Sequence, residues 1–499
     1  MSSPKDRRRA RPKTSPKDQL PWWYDLFTST VRSPLVDHHG TIYTNRTLPF
    51  AKIKAIGFDF DHTLAIYNCA ELDGVAMQLV IDRLIEHEGV ASNFTDNLPD
   101  PSFAGKGLIV DTQLGNVLKP DRYGFVTLAY HGTRRLTSRE LRECYENRDI
   151  IGQLYGSDRF VQVDSAFAKP EVLIFSALAP GTAETEGGCQ DLWKTIRHHT
   201  DMIHRDGSLK SVLTKDPLRF VRPELETVGM LRRLKEGGKK VFLLTNSEWE
   251  YTSRMIGPAF GISGSDPKAW LNLFDHVVVE GRKPHFFGKG QGDEPEQLDF
   301  PNVTRGGGIN HLEGVLGCSG PEVMYVGDHI YADLISSKRT NQWRTMLILA
   351  ELDDELNAHA GLPGMAEQLL QTDDRRTHAE REVMHWKSIQ GVLKRMESES
   401  THVAMDELKT ECRKRRDEAA KALKSHIAQR RSLQRKIANA VNPYWGSLFR
   451  TDAALTWFGR QLEDYACTYT SRAINLGLYP PDHYFRSAMD YLPHELESM

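Results

Sequence analysis

The chain has 499 residues, of which 39% are hydrophobic and 26% are charged, and its formal net charge is −3. This composition is typical of a soluble protein with two or three domains, and so nearly neutral a chain needs no nucleic-acid or membrane partner to explain its charge. The sequence contains neither the roughly 18 consecutive apolar residues of a spanning helix nor an apolar signal core near its start.

The cysteines are scattered along the chain without CxxC spacing. They are Cys69, Cys144, Cys189, Cys318, Cys412 and Cys467. Such a distribution favours reduced thiols over a disulfide framework or a zinc site. We therefore expect a soluble intracellular protein, located in the cytoplasm.

The first predicted segment, residues 1–42, opens with the stretch "MSSPKDRRRARPKTSPKDQ". It is basic, carries proline and serine, and shows no hydrophobic periodicity, which predicts a disordered arm. Short basic runs also serve as nuclear or organellar targeting signals, although Asp6 and Asp18 interrupt this one.

Short apolar runs then recur, with helix-like segments between them, in residues 43–110 and 220–360. They read "IKAIGFDFD", "KKVFLLTNS", "HVVVEGRKP", "EVMYVGDH" and "WRTMLILAEL". Continuous apolar runs bounded by polar turns are typical of strands buried on both faces. Their alternation with helices predicts an α/β core with a doubly wound parallel sheet.

Residues 111–219 break this alternation. Their first part, "DTQLGNVLKPDRYGFVTLAY", has strand–turn–strand character, and a later part, "CQDLWKTIRHHTDMIHRDG", is helical. An α+β insertion of this size predicts a cap over a site at the strand ends. The alternative is a surface insertion with no role in the site.

After residue 360 the pattern becomes helical. Residues 361–440 carry alternating charge with partial apolar periodicity, which favours a solvated helix or helical hairpin over a coiled-coil partner contact. Residues 441–499 are dense in aromatic side chains, which predicts a C-terminal helical region packed on the core.

Residues with acidic, hydroxyl, amide or basic side chains follow the first four predicted strands. They are Asp59 and Asp61, then Thr245 and Asn246, then Lys283, then Asp328 and Asp333. In an open α/β sheet such ends converge on one site. Paired carboxylates are costly to bury without a cation, and ligands that are all oxygen point to Mg²⁺. A lysine and a hydroxyl beside the metal suit phosphoryl transfer, in which an aspartate is able to act as nucleophile.

Each fragment has a simpler interpretation when taken alone. A DxD pair is often a cap, "LLTNS" a strand followed by an N-cap, "GRKP" a turn, and "GDxxxxD" an acidic loop. Their joint occurrence, in this order and each at a strand end, is what makes the pattern specific.

These stretches resemble the four motifs of the haloacid dehalogenase (HAD) superfamily of phosphohydrolases and, more closely, its cytosolic purine 5′-nucleotidase family. The similar segments include "IGFDFDHTL", "GLIVDTQLGNVLKPDRYG", "HRDGSLK", "VFLLTNSEWEYT", "EGRKPHFF", "YVGDHIYADLISSKRTNQWRT", "GSLFRT" and "YLPHE". The resemblance spans nearly all of residues 43–497.

The resemblance implies a role for each matching residue. Asp59 would be the nucleophile, and Asp61 would protonate the leaving 5′-oxygen and later activate water. Asp59, Asp328 and the backbone carbonyl of Asp61 would hold Mg²⁺, while Asp333 would orient the lysine and the metal's waters. The phosphate-binding residues would be Thr245, Asn246, Ser247 and Lys283.

The resemblance also places substrate contacts in the cap. Arg197 and Asp201 are four residues apart and share one helix face. An arginine donor beside an aspartate acceptor matches the O6 and N1–H of a 6-oxopurine, so IMP and GMP should be preferred over AMP. The resemblance implies that His204 would be a further substrate contact, that Lys210 would reach the phosphate, and that Phe167 would stack on the base. Without the resemblance, Phe167 reads as a core aromatic and the pair of Arg197 and Asp201 as an exposed intrahelical ion pair.

The sequence departs from the family pattern at two positions. His62 stands where tyrosine is frequent, and Leu154 falls about where regulated members carry an arginine, which argues against nucleotide activation. The expected function is a Mg²⁺-dependent purine 5′-nucleotidase, with phosphate transfer to a nucleoside acceptor as an additional activity and a homo-oligomer implied by resemblance. The alternatives are a HAD phosphatase for another phosphomonoester and a non-catalytic interaction protein that acts through its charged helices.

Overall fold

The computed structural model describes residues 38–145, 150–154, 158–182, 187–264, 266–288, 294–396, 403–452 and 454–489. The basic arm predicted for residues 1–42 lies mostly outside this part of the chain, and so does the "YLPHE" stretch near the C-terminus.

A nine-stranded sheet, here called the central sheet, forms the centre of the fold. In spatial order its strands are Tyr43–Thr44, Thr468–Thr470, Arg344–Ile348, Val323–Gly327, Ala55–Phe58, Lys240–Leu244, His276–Val279, Val303–Arg305 and Glu296–Gln297. All neighbouring strands are parallel except the outermost pair at each edge. The middle strand, Ala55–Phe58, is buried along its whole length, which explains its continuous apolar sequence.

Helices alternate with these strands along the chain. They are Glu226–Glu236, Trp249–Phe260, Lys268–Leu271, Ile309–Leu316, Ser336–Asn341 and Glu351–Ala360. Shorter helical turns cover Phe50–Lys52, His285–Phe287, Gly320–Glu322 and Ile330–Ile335. The predicted fold class, an α/β core with a mostly parallel central sheet, is confirmed.

An α+β insertion lies between strands Ala55–Phe58 and Lys240–Leu244 of the central sheet. Its antiparallel five-stranded sheet has the spatial order Arg134–Arg135, Val126–His131, Asn116–Pro120, Leu108–Asp111 and Phe160–Val163. Its helices and helical turns are Ser92–Asn97, Pro101–Phe103, Ser138–Tyr145, Ile150–Leu154, Ala166–Ala168, Lys169–Thr182, Gly188–Arg205, Ser208–Lys215 and Pro217–Phe220.

The insertion begins earlier than residue 111, where the sequence placed it. Helix Cys69–Glu88 packs against Lys169–Thr182 and Gly188–Arg205, although it falls in the range predicted for the core. The insertion sheet likewise starts at Leu108. Helical periodicity identifies an apolar face but not the neighbour that covers it, so this helix could not be assigned to the insertion from the sequence.

The chain leaves and re-enters the core at one point. Strand Ile66–Tyr67 pairs antiparallel with Val221–Arg222. The amide of Asn68 also donates to the carbonyl of Phe220 at 2.7 Å. The insertion is therefore joined to the core through two neighbouring strands.

Helices Met365–Met396 and Val403–Val441 pack along each other as a helical hairpin. The residues buried between or beneath them are Thr372, Ala379, Val383, Cys412, Ala419 and Leu433. Leu408, one of the apolar residues of the predicted periodicity in residues 361–440, is 57% exposed. Neither these two helices nor any other helix in the described residues is long and apolar enough to cross a membrane.

The C-terminal region is only partly helical, contrary to the prediction for residues 441–499. Helix Trp457–Tyr465 buries Phe458 and Leu462, but Thr468–Thr470 is a strand of the central sheet. Three residues are too few for a recognisable strand period, so the sequence did not reveal it. The remaining short strands are Leu48–Pro49, Tyr484–Phe485, Arg450–Thr451 and Ala454–Leu455, with a helical turn at Ala473–Leu478.

Candidate active site

The polar residues at the strand ends meet at the carboxyl edge of the central sheet. Strand Ala55–Phe58 lies directly between Val323–Gly327 and Lys240–Leu244, so Asp59 is flanked by Asp328 on one side and Thr245 on the other. This is the edge at which open α/β sheets bind ligands.

Lys283 holds two of the carboxylates together. Its Nζ lies 2.9 Å from Asp59 Oδ2 and 2.8 Å from Asp333 Oδ1, and it donates to the hydroxyl of Tyr325 at 2.9 Å. Burial alone would lower the pKa of Lys283, but Asp333 and Asp59 raise it well above its ordinary value. The ammonium therefore stays charged at the centre of the site.

Asp333 is fully buried and its position depends on a glycine. A Cβ built on Gly327 would lie 2.2 Å from Asp333 Oδ2, so no other residue fits there without displacing the carboxylate. The same oxygen accepts the amide of His329 at 3.1 Å. Both oxygens of Asp333 are thus engaged, one by Lys283 and one by the backbone.

Lys106 is a second buried lysine of the site, and sequence reasoning missed it. Its Nζ lies 3.0 Å from Asp328 Oδ2 and 3.1 Å from the Asp328 carbonyl oxygen. Burial would raise the pKa of Asp328, but Lys106, followed by His62, lowers it below its ordinary value. The only signal in the sequence was an isolated lysine in the loop before the insertion sheet, which carries no motif.

The three carboxylates form a cluster that suits a divalent cation. One oxygen each of Asp59, Asp328 and Asp333 lies within 4.8 Å of the others. Burial raises the pKa of Asp59 well above its ordinary value, against the opposing effect of Lys283, so an ionised Asp59 calls for further positive charge. Both oxygens of Asp59 also have partners, Oδ1 the amide of Phe60 at 2.7 Å and Oδ2 the ammonium of Lys283, so these contacts do not distinguish the three carboxylates as ligands. Oxygen ligands of this kind fit Mg²⁺.

Asp61 points to the other side of the site. Its Oδ2 accepts a hydrogen bond from the hydroxyl of Ser247 at 2.7 Å, and its Oδ1 accepts one from the hydroxyl of Tyr67 at 2.5 Å. Asp61 and Ser247 are therefore in contact, while Tyr67 is a further partner that the sequence did not indicate.

The two residues before Ser247 are held differently from one another. Thr245 is buried, and its hydroxyl accepts the amide of Ser247 at 3.1 Å. Asn246 Oδ1 accepts the amide of Lys283 at 2.6 Å, and its Nδ2 donates to the Lys283 carbonyl at 3.1 Å. The side chain of Asn246 thus holds the backbone of Lys283 in place. The family resemblance had instead suggested that this side chain binds the phosphate.

A row of rings connects the catalytic edge with the insertion. The ring of Phe167 lies 4.8 Å from that of His62 and 5.7 Å from that of His204, measured between centroids. Arg197 and Asp201 lie on the same face of helix Gly188–Arg205 as His204 and form an i,i+4 ion pair at 3.6 Å. The structure therefore brings the predicted cap residues together on one face.

Lys210 reaches the loop beyond Ser247 and not the carboxylates. It forms an ion pair with Glu248, and its Nζ lies 5.7 Å from the ring centroid of Tyr251. A contact of Lys210 with a phosphate would require this ion pair to rearrange.

Arg197 also has a buried partner that the sequence did not predict. Its Nη1 lies 3.0 Å from Glu171 Oε2, and Glu171 is only 3% exposed. Burial raises the pKa of Glu171 to about 7, although Arg197 opposes the shift. A guanidinium has five N–H donors, so Arg197 is able to hold Glu171 and still donate to a ligand.

We expect this buried acid to make the stability of the protein depend on pH. A carboxyl whose pKa is about 7 in the folded state and 4.5 when unfolded stabilises the fold below pH 4.5, and the contribution is lost as pH rises to 7 and above. Differential scanning fluorimetry of Glu171→Gln should therefore show a smaller fall in Tm between pH 5 and pH 8 than the wild type. An equal fall in both proteins would show that Glu171 does not titrate in this range.

The comparisons with known proteins agree with this geometry. A model described as the 5′ nucleotidase family matches residues 42–497. The chain is 26% identical over 477 residues to a 5′-nucleotidase domain-containing protein of Dictyostelium discoideum, covering 91% of this chain and 75% of that one. It is also 26% identical over 502 residues to 5′-nucleotidase domain-containing protein 2 of Homo sapiens, covering 94% of this chain and 88% of the relative.

Solved structures with some similarity include one described as a predicted phosphoglycolate phosphatase from Haemophilus somnus, with 15% identity and a TM-score of 0.26 over 60% of this chain and 85% of that one. The family match, in contrast, covers nearly the whole chain and includes every strand end of the carboxylate site. The protein is accordingly a phosphoric monoester hydrolase that belongs to the 5′ nucleotidase family.

Proposed function

We propose that the protein is a Mg²⁺-dependent 5′-nucleotidase that hydrolyses purine nucleoside 5′-monophosphates, with IMP and GMP preferred. The observation that carries this proposal is the row of rings. It runs from His62, which follows Asp61 in the chain, through Phe167 to His204. It therefore links the carboxylates to Arg197 and Asp201, which lie on the same helix face as His204. A phosphate at the sheet edge and a base on the cap face would lie at the two ends of one nucleotide.

In the first half of the proposed reaction, a carboxylate oxygen of Asp59 attacks phosphorus and the bond to the leaving 5′-oxygen breaks, which gives an aspartyl-phosphate. Lys283, which already contacts Asp59, offsets charge on the phosphoryl oxygens. Asp61 donates the proton that the leaving oxygen requires. In the second half, Asp61 accepts a proton from the water that attacks the aspartyl-phosphate.

Asp59, Asp328 and the backbone carbonyl of Asp61 would hold the Mg²⁺, which when bound supplies charge neutralisation and orientation of the phosphate. Asp333 would act indirectly, through Lys283. Lys106 would keep Asp328 ionised and fixed, because it contacts both the side chain and the carbonyl of that residue.

The preference for 6-oxopurines rests on Arg197 and Asp201. A donor next to an acceptor on one helix face complements O6 and N1–H, whereas adenine presents the opposite pattern. Burying the wrong pattern leaves polar groups unpaired, which is the basis of strong discrimination. Phe167 offers an aromatic face for the base.

The test is phosphate release from IMP, GMP, AMP, CMP and p-nitrophenyl phosphate, with Mg²⁺ and with EDTA. We expect phosphate release that depends on Mg²⁺ and is faster from IMP and GMP than from the other substrates. Release from the aryl phosphate alone would support a phosphatase for another phosphomonoester and contradict the purine assignment. Equal rates of phosphate release with Mg²⁺ and with EDTA would contradict a requirement for the metal ion.

Arg197→Ala should lower kcat/KM for IMP by about 10- to 100-fold, since it removes a donor to the base, and should leave the aryl phosphate nearly unaffected. Arg205→Ala is the matched control, because Arg205 lies on the same helix but is exposed. A parallel loss with both substrates would assign Arg197 a structural role only.

A further inference from the structure

Two buried tyrosines stand behind Asp61. The hydroxyl of Tyr67 donates to Asp61 Oδ1 at 2.5 Å and lies 2.7 Å from the hydroxyl of Tyr251. Both tyrosines are buried, with exposed fractions of 7% and 6%. They come from different parts of the chain, Tyr67 from the strand that leads into the insertion and Tyr251 from a core helix.

The chemistry of the groups fixes the direction of these hydrogen bonds. An ionised carboxylate only accepts, so the single proton of Tyr67 lies toward Asp61. Tyr67 must then accept from Tyr251. The three groups form a chain in which Tyr251 donates to Tyr67 and Tyr67 donates to Asp61 Oδ1.

The two oxygens of Asp61 therefore differ in environment. Oδ1 is held by a buried, rigid ring that has its own buried partner. Oδ2 is held by the hydroxyl of Ser247, which is half-buried, belongs to a loop and has one rotatable bond to its oxygen. Only the bond at Oδ2 is able to exchange for a ligand without moving a buried side chain.

We propose that Tyr67, supported by Tyr251, is a positioning residue that holds Asp61 by Oδ1 and so makes Oδ2 the oxygen that transfers the proton. This inference rests on the proposed function. In the first half-reaction the Oδ2–H proton moves to the leaving oxygen as its bond to phosphorus breaks. In the second half, a proton of the attacking water moves to Oδ2 as the Asp59–phosphorus bond breaks, which restores both aspartates.

Tyr67→Phe removes the hydrogen bond and keeps the ring. A nucleoside 5′-oxygen is a strongly basic leaving group that needs the proton, whereas p-nitrophenolate leaves without one. We therefore expect kcat/KM for IMP, or for whichever nucleotide the wild type turns over best, to fall by about 10- to 100-fold, and kcat/KM for p-nitrophenyl phosphate to stay within about twofold. Because water activation also needs Asp61, kcat for the aryl phosphate should fall.

Rapid quench supplies a second readout. The variant should release one equivalent of p-nitrophenolate in a burst and then release phosphate slowly, since the aspartyl-phosphate forms normally and breaks down late. Tyr251→Phe is the matched control, which keeps the bond from Tyr67 to Asp61 and should lose only a few-fold in activity with the nucleotide.

The outcomes separate the two proposals. An equal fall of kcat/KM for both substrates, with no burst, would show that Tyr67 merely supports the fold, and unchanged kinetics would show that Asp61 is positioned without it. Asp61→Asn provides the reference for loss of proton transfer. A wild-type protein that releases phosphate from none of the substrates would overturn the proposed function itself.

Discussion

Replacing Asp59 by asparagine should abolish phosphate release from every phosphomonoester, by on the order of 10⁴-fold or more, while the protein stays folded. The amide has the shape of the carboxylate but is a poor nucleophile and a poor ligand for a cation. Lys283 keeps its contact with Asp333, so no buried ammonium is left without a partner. Phosphate release and a thermal melt by circular dichroism measure the two effects.

Acid quench with ³²P-labelled substrate separates loss of the nucleophile from loss of binding. The wild type should retain label on the protein, and Asp59→Asn should retain none. Asp82→Asn, on the exposed face of helix Cys69–Glu88, is the control and should behave as wild type. Covalent label on Asp59→Asn would move the nucleophile to another residue.

Replacing Lys106 by methionine should have the largest effect on stability. It leaves Asp328 buried without its ammonium, and removal of one partner from a buried ion pair costs about 3–5 kcal/mol. The loss of stability should be smaller when Mg²⁺ is present, because a divalent cation restores positive charge beside Asp328. A cation that binds only the folded state stabilises that state. Tm should therefore rise more with 10 mM Mg²⁺ in the variant than in the wild type.

Lys119→Met is the matched control for this experiment. Lys119 is equally buried, but its Nζ donates to the carbonyls of Trp445, Ser447 and Arg450 and, among the residues that the structure describes, to no carboxylate. Its loss should lower Tm by an amount that is the same with and without Mg²⁺. An identical Mg²⁺ response in Lys106→Met and Lys119→Met would show that Lys106 has no electrostatic link to a cation site.

That the polar strand ends meet at one edge of the sheet was predictable because the signal for it is local. Asp59, Thr245 and Asp328 each stand directly after an apolar run, and parallel strands bring their carboxyl ends to the same edge. Once the runs were recognised as neighbouring strands, the meeting of these residues followed from the geometry of the sheet.

The supporting residues were not predictable in the same way. Lys106 and Glu171 contact residues far from them along the chain, whereas Tyr67 contacts Asp61, six residues away, and Tyr251. Each of the three looks like an ordinary residue in its own segment. A buried tyrosine or an isolated lysine has no spacing that distinguishes it. For Asn246 the position in the motif was recognised, but the partner of its side chain was not. That partner is the backbone of Lys283, and the contact depends on how two loops approach each other.

The predicted start of the insertion was wrong for a related reason. Helix Cys69–Glu88 has an apolar stripe that either a sheet or another helix covers equally well. The strand Thr468–Thr470 is too short to show a period, and its place in the sheet is set by its neighbours.

That short strand has a consequence for synthesis on the ribosome. It lies between Arg344–Ile348 and Tyr43–Thr44, so Tyr43–Thr44 gains its partner in the sheet only after more than 400 further residues have been made. Contacts of such long range form slowly, and one edge of the sheet stays open to incorrect pairing until then. Truncation just before Thr468 would remove residues 468–499, this three-residue strand among them, and leave the edges of two other strands without partners, so it should yield an aggregating chain rather than a slightly smaller enzyme.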